Sequence, residues 1–409
     1  MQLLSPLLFT FILMIFFTVN CQYTFLDTKF GPFVKIARLF ASDLIKPRTF
    51  ELGYQVNLRN GKAQQLFKDD FFCDANGPGR RSETVPSSVH RLTPGDIDVI
   101  GAMGDSLTAA NGALAVNGLQ TLLEGRGVSW SIGGRDNWRK FLTLPNLIKV
   151  YNPKLYGYSE AENSVGFQRE SKFSVAEPGA ISFHTIQQAK NLVKRMRSDP
   201  RVDISKHWKV ITIMIGSNDF CLDVCYYDNQ DKLIDDAGRN MIHVLRIIRE
   251  NLPRTLVNVL IPVDVGLLFT FKQISPECQG FHYAECPCLI SLTQSKKIKR
   301  TLRTIRLWKE KIAEVVDMDE FHNRDDFEVN LIKFTKNARL PDARNNITDY
   351  TLLSQDCFHL SQRGHSYFAM NLWNQMLTKE NERPTTTSFN YADFKCPTYE
   401  NPYFRTRRN

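Results

Sequence analysis

A doubly wound α/β fold with a mostly parallel sheet is the architecture this 409-residue chain predicts, on three observations. Short, nearly continuous apolar runs recur along it, the form taken by parallel strands that are covered on both faces. Between the runs lie stretches whose apolar residues repeat at helical spacing. The runs end in Gly, Pro, Ser, Asn or Asp, and in open sheets of this kind sites form beyond the carboxyl ends of the strands.

The first run, 97–103, lies between Pro94-Gly95 and Gly104 and predicts a buried strand. A shorter one, 173–176, ends at Pro178-Gly179; 209–215 is β-branched and ends at Gly216; 256–261 ends at Pro262. Ile186, Ala189, Val193 and Met196 predict a helix after the second run, and Ala237, Met241, Val244 and Ile248 one after the third. Ile298, Leu302, Ile305 and Ile312 predict another, and a last helix is expected over 364–376. The domain carrying these elements is expected to span 96–380. Residues 22–95 lack clear periodicity and read as an N-terminal wrap packed on it. The stretch 381–409 is Pro/Thr-rich and reads as a polar C-terminal tail pinned by Cys396, and 151–173 is long and irregular enough for a lid.

Residues 7–19 are almost wholly apolar and precede Val19-Asn20-Cys21-Gln22, so 1–21 reads as a signal peptide and the protein as secreted. An uncleaved N-terminal anchor is the alternative. No second run of spanning length and no C-terminal lipid-anchor signal is expected. Cleavage after Cys21 would leave eight cysteines, an even set that reads as disulfides in an oxidising compartment. Cys221 with Cys225 is expected to form a local bridge. Cys278, Cys286 and Cys288 around His282 offer zinc as an alternative, but Cys-Pro-Cys is poor chelating spacing. Asn346-Ile347-Thr348 is the N-glycosylation sequon. A net charge of +9 suits anionic lipid or acidic glycan; without a basic-aromatic stripe, nucleic acid is not expected as a partner.

The chemistry is carried by Gly104-Asp105-Ser106-Leu107-Thr108 and Asp356-Cys357-Phe358-His359. A serine that attacks an ester needs a base for its proton, and that base needs a carboxylate to fix its tautomer. Ser106 is the expected nucleophile, His359 the base and Asp356 its partner. Gly179 and Asn218 also fall beyond strand ends, so the N–H groups of Ser106 and Gly179 and the Asn218 amide are expected to form an oxyanion hole. Donors of that kind contribute about 3–4 kcal/mol each. Taken singly, Ser106 reads as a helix cap, Asp356 with His359 as a surface pair, and 216–219 as a turn. Asp219 is expected to orient the Asn218 loop, and His365 to be structural. No cofactor and no metal is expected.

In that order, Gly-Asp-Ser-Leu, a second-block Gly, Gly-x-Asn-Asp and Asp-x-x-His resemble the signature of the GDSL (SGNH) hydrolases. Stretches 87–92, 102–108, 129–134, 143–146 and 358–365 resemble the phospholipase B group within them. The resemblance implies a three-layer α/β/α, flavodoxin-like domain that hydrolyses fatty-acyl esters of phospholipids and lysophospholipids at a membrane or micelle surface, without a metal. It also implies Ser106, Asp356 and His359 as triad and Gly179 and Asn218 as oxyanion contributors. Membrane-bound members carry repeated units and an anchor; one unit and no anchor is expected here. The competing readings are a carbohydrate O-acetylesterase and a secreted lipid-binding pseudoenzyme.

Overall fold

A computed structural model describes residues 50–409 except 161–165, 167 and 291–294. The signal segment 1–21 and residues 22–49 of the wrap lie outside the described residues. Among the described residues, strands β1 (Val99–Gly104), β2 (Lys209–Met214), β3 (Thr255–Leu260) and β4 (Phe327–Ile332) form a parallel sheet in that spatial order. Register is continuous across it: Gly104 stands opposite Met214, Met214 opposite Leu260, and Leu260 opposite Ile332. The four carboxyl ends therefore finish in one row.

Alternate strand residues face opposite layers, as the pleat requires. Val99, Met103, Ile211, Ile213, Val257 and Val259 pack on one side with residues of helices α4 (Thr185–Ser198), α5 (Gln230–Asn251) and α8 (Ser295–Val316). Ile100, Ala102, Val210, Leu256 and Leu260 pack on the other with α3 (Leu144–Tyr151) and α9 (Gln362–Met376). These two apolar layers with the sheet between them are the expected three-layer α/β/α arrangement. Each large aliphatic side chain buried this way contributes about 1.5–3 kcal/mol, which is why both faces of the strands are apolar.

Two features differ from the sequence reading. The run 173–176 does not make a full strand. It joins the free edge of β1 through Ala102 N–H to the Phe173 carbonyl (3.1 Å) and Val175 N–H to the Ala102 carbonyl (3.0 Å). Lys172 before it has φ +46° and Pro178-Gly179 follows, so the extended segment is cut at both ends. Conversely, β4 carries Glu328 and Asn330 inside its run and lacks an apolar signature. Both are buried: Glu328 pairs with His322 at 2.7 Å and Asn330 donates to the Arg405 carbonyl at 2.8 Å.

The N-terminal stretch holds a helix, α1 (Phe50–Arg59), whose Asn57 side chain donates to the Leu114 and Ala115 carbonyls. The C-terminal stretch returns across the domain: Phe404 is buried, its N–H donates to the Leu92 carbonyl at 2.8 Å, and Cys396 bonds Cys73. All eight described cysteines are paired. The local bridge expected between Cys221 and Cys225 does not form; Cys221 bonds Cys286 and Cys225 bonds Cys288. Both lie on a tight helical turn (219–226) against α6 (Pro276–Glu285) and α7 (Pro287–Ile290), so each reaches across rather than along the chain. Cys278 bonds Cys357. With these sulfurs spent on disulfides, the zinc alternative fails.

Candidate active site

Ser106 opens the short helix α2 (Ser106–Ala109) directly after β1. The turn between them needs Gly104: at φ +151°, a Cβ there would stand 2.4 Å from the Met214 carbonyl oxygen. Asp105 caps the helix by accepting from Leu107 N–H at 2.9 Å. Gln188 of α4 holds the same turn from the side, accepting from Gly104 N–H and donating to its carbonyl, each at 2.8 Å. The hydroxyl is thus placed by strand end, cap and one neighbouring amide.

His359 arrives from the other end of the sequence. Its Nε2 lies 2.8 Å from Ser106 Oγ and its Nδ1 2.7 Å from Asp356 Oδ2. The loop that carries the pair is folded by Asp356 itself, whose Oδ1 accepts from the N–H groups of Phe358 (2.9 Å) and His359 (3.0 Å). Cys357 between them sits at φ +55°. Its sulfur is bonded to Cys278 of α6, and its carbonyl accepts from His282 Nε2 at 2.9 Å. Lys62 braces the loop from the N-terminal stretch, donating to the carbonyls of Tyr350, Leu353 and Ser354.

All three side chains are buried. Burial pushes the His359 pKa down, but the Asp356 charge and hydrogen bond outweigh it, helped by Glu285 and Asp105, and the net direction is up. Burial pushes Asp356 up, yet the adjacent imidazole brings it below the usual carboxylate range. Buried Asp105 is pushed up to about 6, offset in part by the Leu107 N–H. His365, on α9, accepts from Trp130 N–H through Nδ1 at 3.3 Å, and burial drives it down to about 3, which leaves it neutral.

Glu285, at the end of α6, is the neighbour that spacing did not reveal. One oxygen each from Glu285 and Asp356 and one nitrogen of His359 lie within 4.8 Å of one another. Such a trio can hold a metal ion in principle, but both His359 ring nitrogens are already engaged, with Ser106 and Asp356. Burial raises the Glu285 pKa, while His359 opposes the rise. No sequence signal points there; the Cys278–Cys357 disulfide ties α6 to the His359 loop in the fold.

The two remaining expected site residues stand on loops, Asn218 beyond β2 and Gly179 beyond the extended segment 173–176. Asn218 follows β2; its Nδ2 donates to the Ala180 carbonyl at 3.0 Å, which sets the amide's orientation and leaves its second N–H available. Gly179, next to Ala180, adopts φ +75°, and a Cβ there would meet no atom within 4 Å. The turn holding Gly179 is docked on β1 by Glu177 N–H to the Gly104 carbonyl at 3.0 Å. Asp219 joins the two loops, accepting from Ser182 N–H (2.9 Å) and Ser182 Oγ (2.5 Å); burial pushes it up to about 7.

Ser106 and Asn218 share a cavity that opens to solvent, with Leu268, Phe271, Phe358 and Phe389 among its walls. Phe389 comes from the C-terminal stretch, so that stretch is part of the site's wall.

A nucleophile–imidazole–carboxylate line at hydrogen-bond distances, beside an apolar cavity, is equipped for acyl transfer. Comparison with known proteins agrees. Residues 100–372 match the family of GDSL-like lipases/acylhydrolases. The chain is 35% identical over 350 residues to membrane-associated phospholipase B1 of Rattus norvegicus and 36% identical over 351 residues to that of Homo sapiens. Each match takes in 83% of this chain and 23% of the relative, so the chain spans less than a quarter of their length. The chain belongs to the GDSL-like lipase/acylhydrolase family.

Proposed function

We propose that this protein hydrolyses fatty-acyl esters of phospholipids and lysophospholipids through an acyl-Ser106 intermediate. The observation that carries the reading is the 2.8 Å contact between His359 Nε2 and Ser106 Oγ at the wall of a cavity lined by Leu and Phe side chains. His359 takes the hydroxyl proton as Ser106 Oγ bonds the ester carbonyl carbon. The oxyanion so formed is met by the N–H groups of Ser106 and Gly179 and the free amide N–H of Asn218. The C–O bond to glycerol then breaks, and the imidazolium gives its proton to the leaving alcohol. Water repeats the sequence on the acyl-enzyme, releasing fatty acid and restoring Ser106. Asp356 fixes the imidazole tautomer and stabilises its charged form throughout.

An acyl chain would meet the Leu, Val and Phe walls of this open cavity, an environment that gives little to the small polar acyl and sugar groups of a carbohydrate acetyl ester. Four disulfides support action in an oxidising, extracellular compartment. Asn346 is exposed in the turn between β5 (Asp342–Ala343) and β6 (Ile347–Thr348), where a glycan fits. Among the described residues no helix is long and apolar enough to cross a membrane.

The test compares long-chain acyl release from phosphatidylcholine vesicles with hydrolysis of soluble acetyl esters. The reading expects the vesicle substrate to be strongly preferred in kcat/KM. Preference for acetyl esters would transfer the assignment to an acetylesterase.

A further inference from the structure

Arg339 stands on the cavity wall, and the basic helix α8 packs against the segments that carry the other walls. Helix α8 packs between the two segments that form the opening. Its Lys309 Nζ donates to Asp264 Oδ2 at 2.6 Å, ahead of the wall residues Leu267, Leu268 and Phe271. It also donates to the Lys336 carbonyl at 3.0 Å, ahead of Ala338, Arg339 and Leu340. Two turns earlier on the same stripe, Leu302 leans over Gly266: its Cδ2 stands 2.7 Å from where a side chain on that glycine would begin.

Residues 299, 302, 303 and 306 share one helical face, so Lys299 and Arg306 flank Leu302 beside the opening. No Asp or Glu occurs from 295 to 309. Arg303 pairs with Asp231, and Arg300 donates to the Asp228 carbonyl. Lys296, Lys297, Lys299 and Arg306 are exposed and have no ion-pair partner among the described residues; the same holds for Arg339 on the cavity wall. Phe269 is 46% exposed, although Leu268 and Phe271 on either side of it line the cavity.

A basic helix face alone is usually just solvated. Here the helix packs on the segment 264–271, which carries both an exposed aromatic ring and walls of the apolar cavity. An anionic lipid surface satisfies all three at once: its headgroups attract the cations, its acyl boundary takes up the ring, and its chains lie opposite the cavity. A soluble polyanion would satisfy the charges and gain nothing from Phe269.

We infer that the basic face of α8, together with Phe269 and Arg339, seats the protein on an anionic lipid surface with the cavity mouth turned toward the lipid. The inference rests on the phospholipid reading above and names the interface at which that chemistry occurs. The catalytically silent Ser106→Ala protein is sedimented with phosphatidylcholine vesicles, with and without a minor fraction of phosphatidylserine. Phosphatidylserine is expected to tighten binding about tenfold or more, since each cation near such a surface contributes a factor of about five. In that background, a triple Lys296→Glu, Lys299→Glu, Arg306→Glu variant is expected to lose the phosphatidylserine dependence, and Phe269→Gln to bind both vesicles several-fold more weakly. Placed instead in the active protein, the same substitutions are expected to leave soluble acetyl-ester hydrolysis at its parent rate, which checks folding. Equal binding to both vesicles, or unchanged binding by the variants, overturns the inference. So does displacement by heparin with no effect of Phe269→Gln, the signature of a polyanion site. Hydrolysis of soluble esters without acyl release from any vesicle would instead defeat the substrate reading, whatever the binding shows.

Discussion

The two halves of the candidate active site are held in place by different means. Ser106 is positioned locally: strand register, the Gly104 turn, the Asp105 cap and the Gln188 clasp all act within or directly beside β1. The Asp356–His359 loop has its own Asp356 turn, but it is braced from distant parts of the chain by Lys62, by Cys278 and by His282. A strand end in a packed sheet is over-determined by backbone bonding, whereas a loop must borrow rigidity from its neighbours. The proposed base should therefore be the half that remote substitutions can loosen, and the proposed nucleophile the half that they cannot.

The strongest challenge to this contrast lies within the loop. Asp356→Asn is expected to lower kcat by roughly 10³–10⁴-fold, because the amide stabilises the wrong imidazole tautomer. The fold should hold, since Asn keeps an oxygen to accept from the N–H groups of Phe358 and His359. Steady-state kinetics with a circular dichroism control measures this, and a loss below tenfold would remove Asp356 from the line.

Next in size is the crosslink. Replacing Cys278 and Cys357 together by Ser is expected to cost about 2–4 kcal/mol of stability and to slow the reaction of Ser106 with a fluorophosphonate. The β1–α2 turn should keep its amide-exchange protection. Equal loss of protection at 99–109 would erase the distinction between the halves.

A finer probe is Glu285→Gln. Activity requires His359 without its proton, so the acid limb of kcat/KM follows the His359 pKa. A neighbouring carboxylate raises that pKa; removing the charge lowers it, and the limb is expected to move to lower pH by up to about one unit. An unmoved limb would show that Glu285 is uncharged wherever His359 titrates. The smallest effect is none: EDTA is expected to leave the rate unchanged, and strong inhibition would make the Glu285–Asp356–His359 trio a metal site after all.

The same contrast explains what could be read from the sequence. Ser106 and Asn218 are legible because strand ends announce themselves as apolar runs stopped by Gly; Gly179 follows an apolar run, 173–176, that joins the edge of β1 without making a full strand. Asp356 and His359 are legible because one turn joins them. What holds that turn is not: Lys62 and His282 act through folded proximity, as does the charge of Glu285 beside His359, and eight cysteines do not disclose their partners. Strand β4 is not legible because Glu328 and Asn330 break its apolar run, and their buried partners, His322 and the Arg405 carbonyl, lie on other segments. In the C-terminal stretch the pin at Cys396 is legible as a cysteine, whereas the buried anchor Phe404 is isolated among polar residues and is not.

The most direct test of the acyl-serine account is to locate the adduct formed with a fluorophosphonate by peptide mass mapping. The account predicts one modified peptide, carrying the added mass on Ser106, and no labelling in Ser106→Ala. An adduct on another serine, or labelling that persists in that variant, would contradict it.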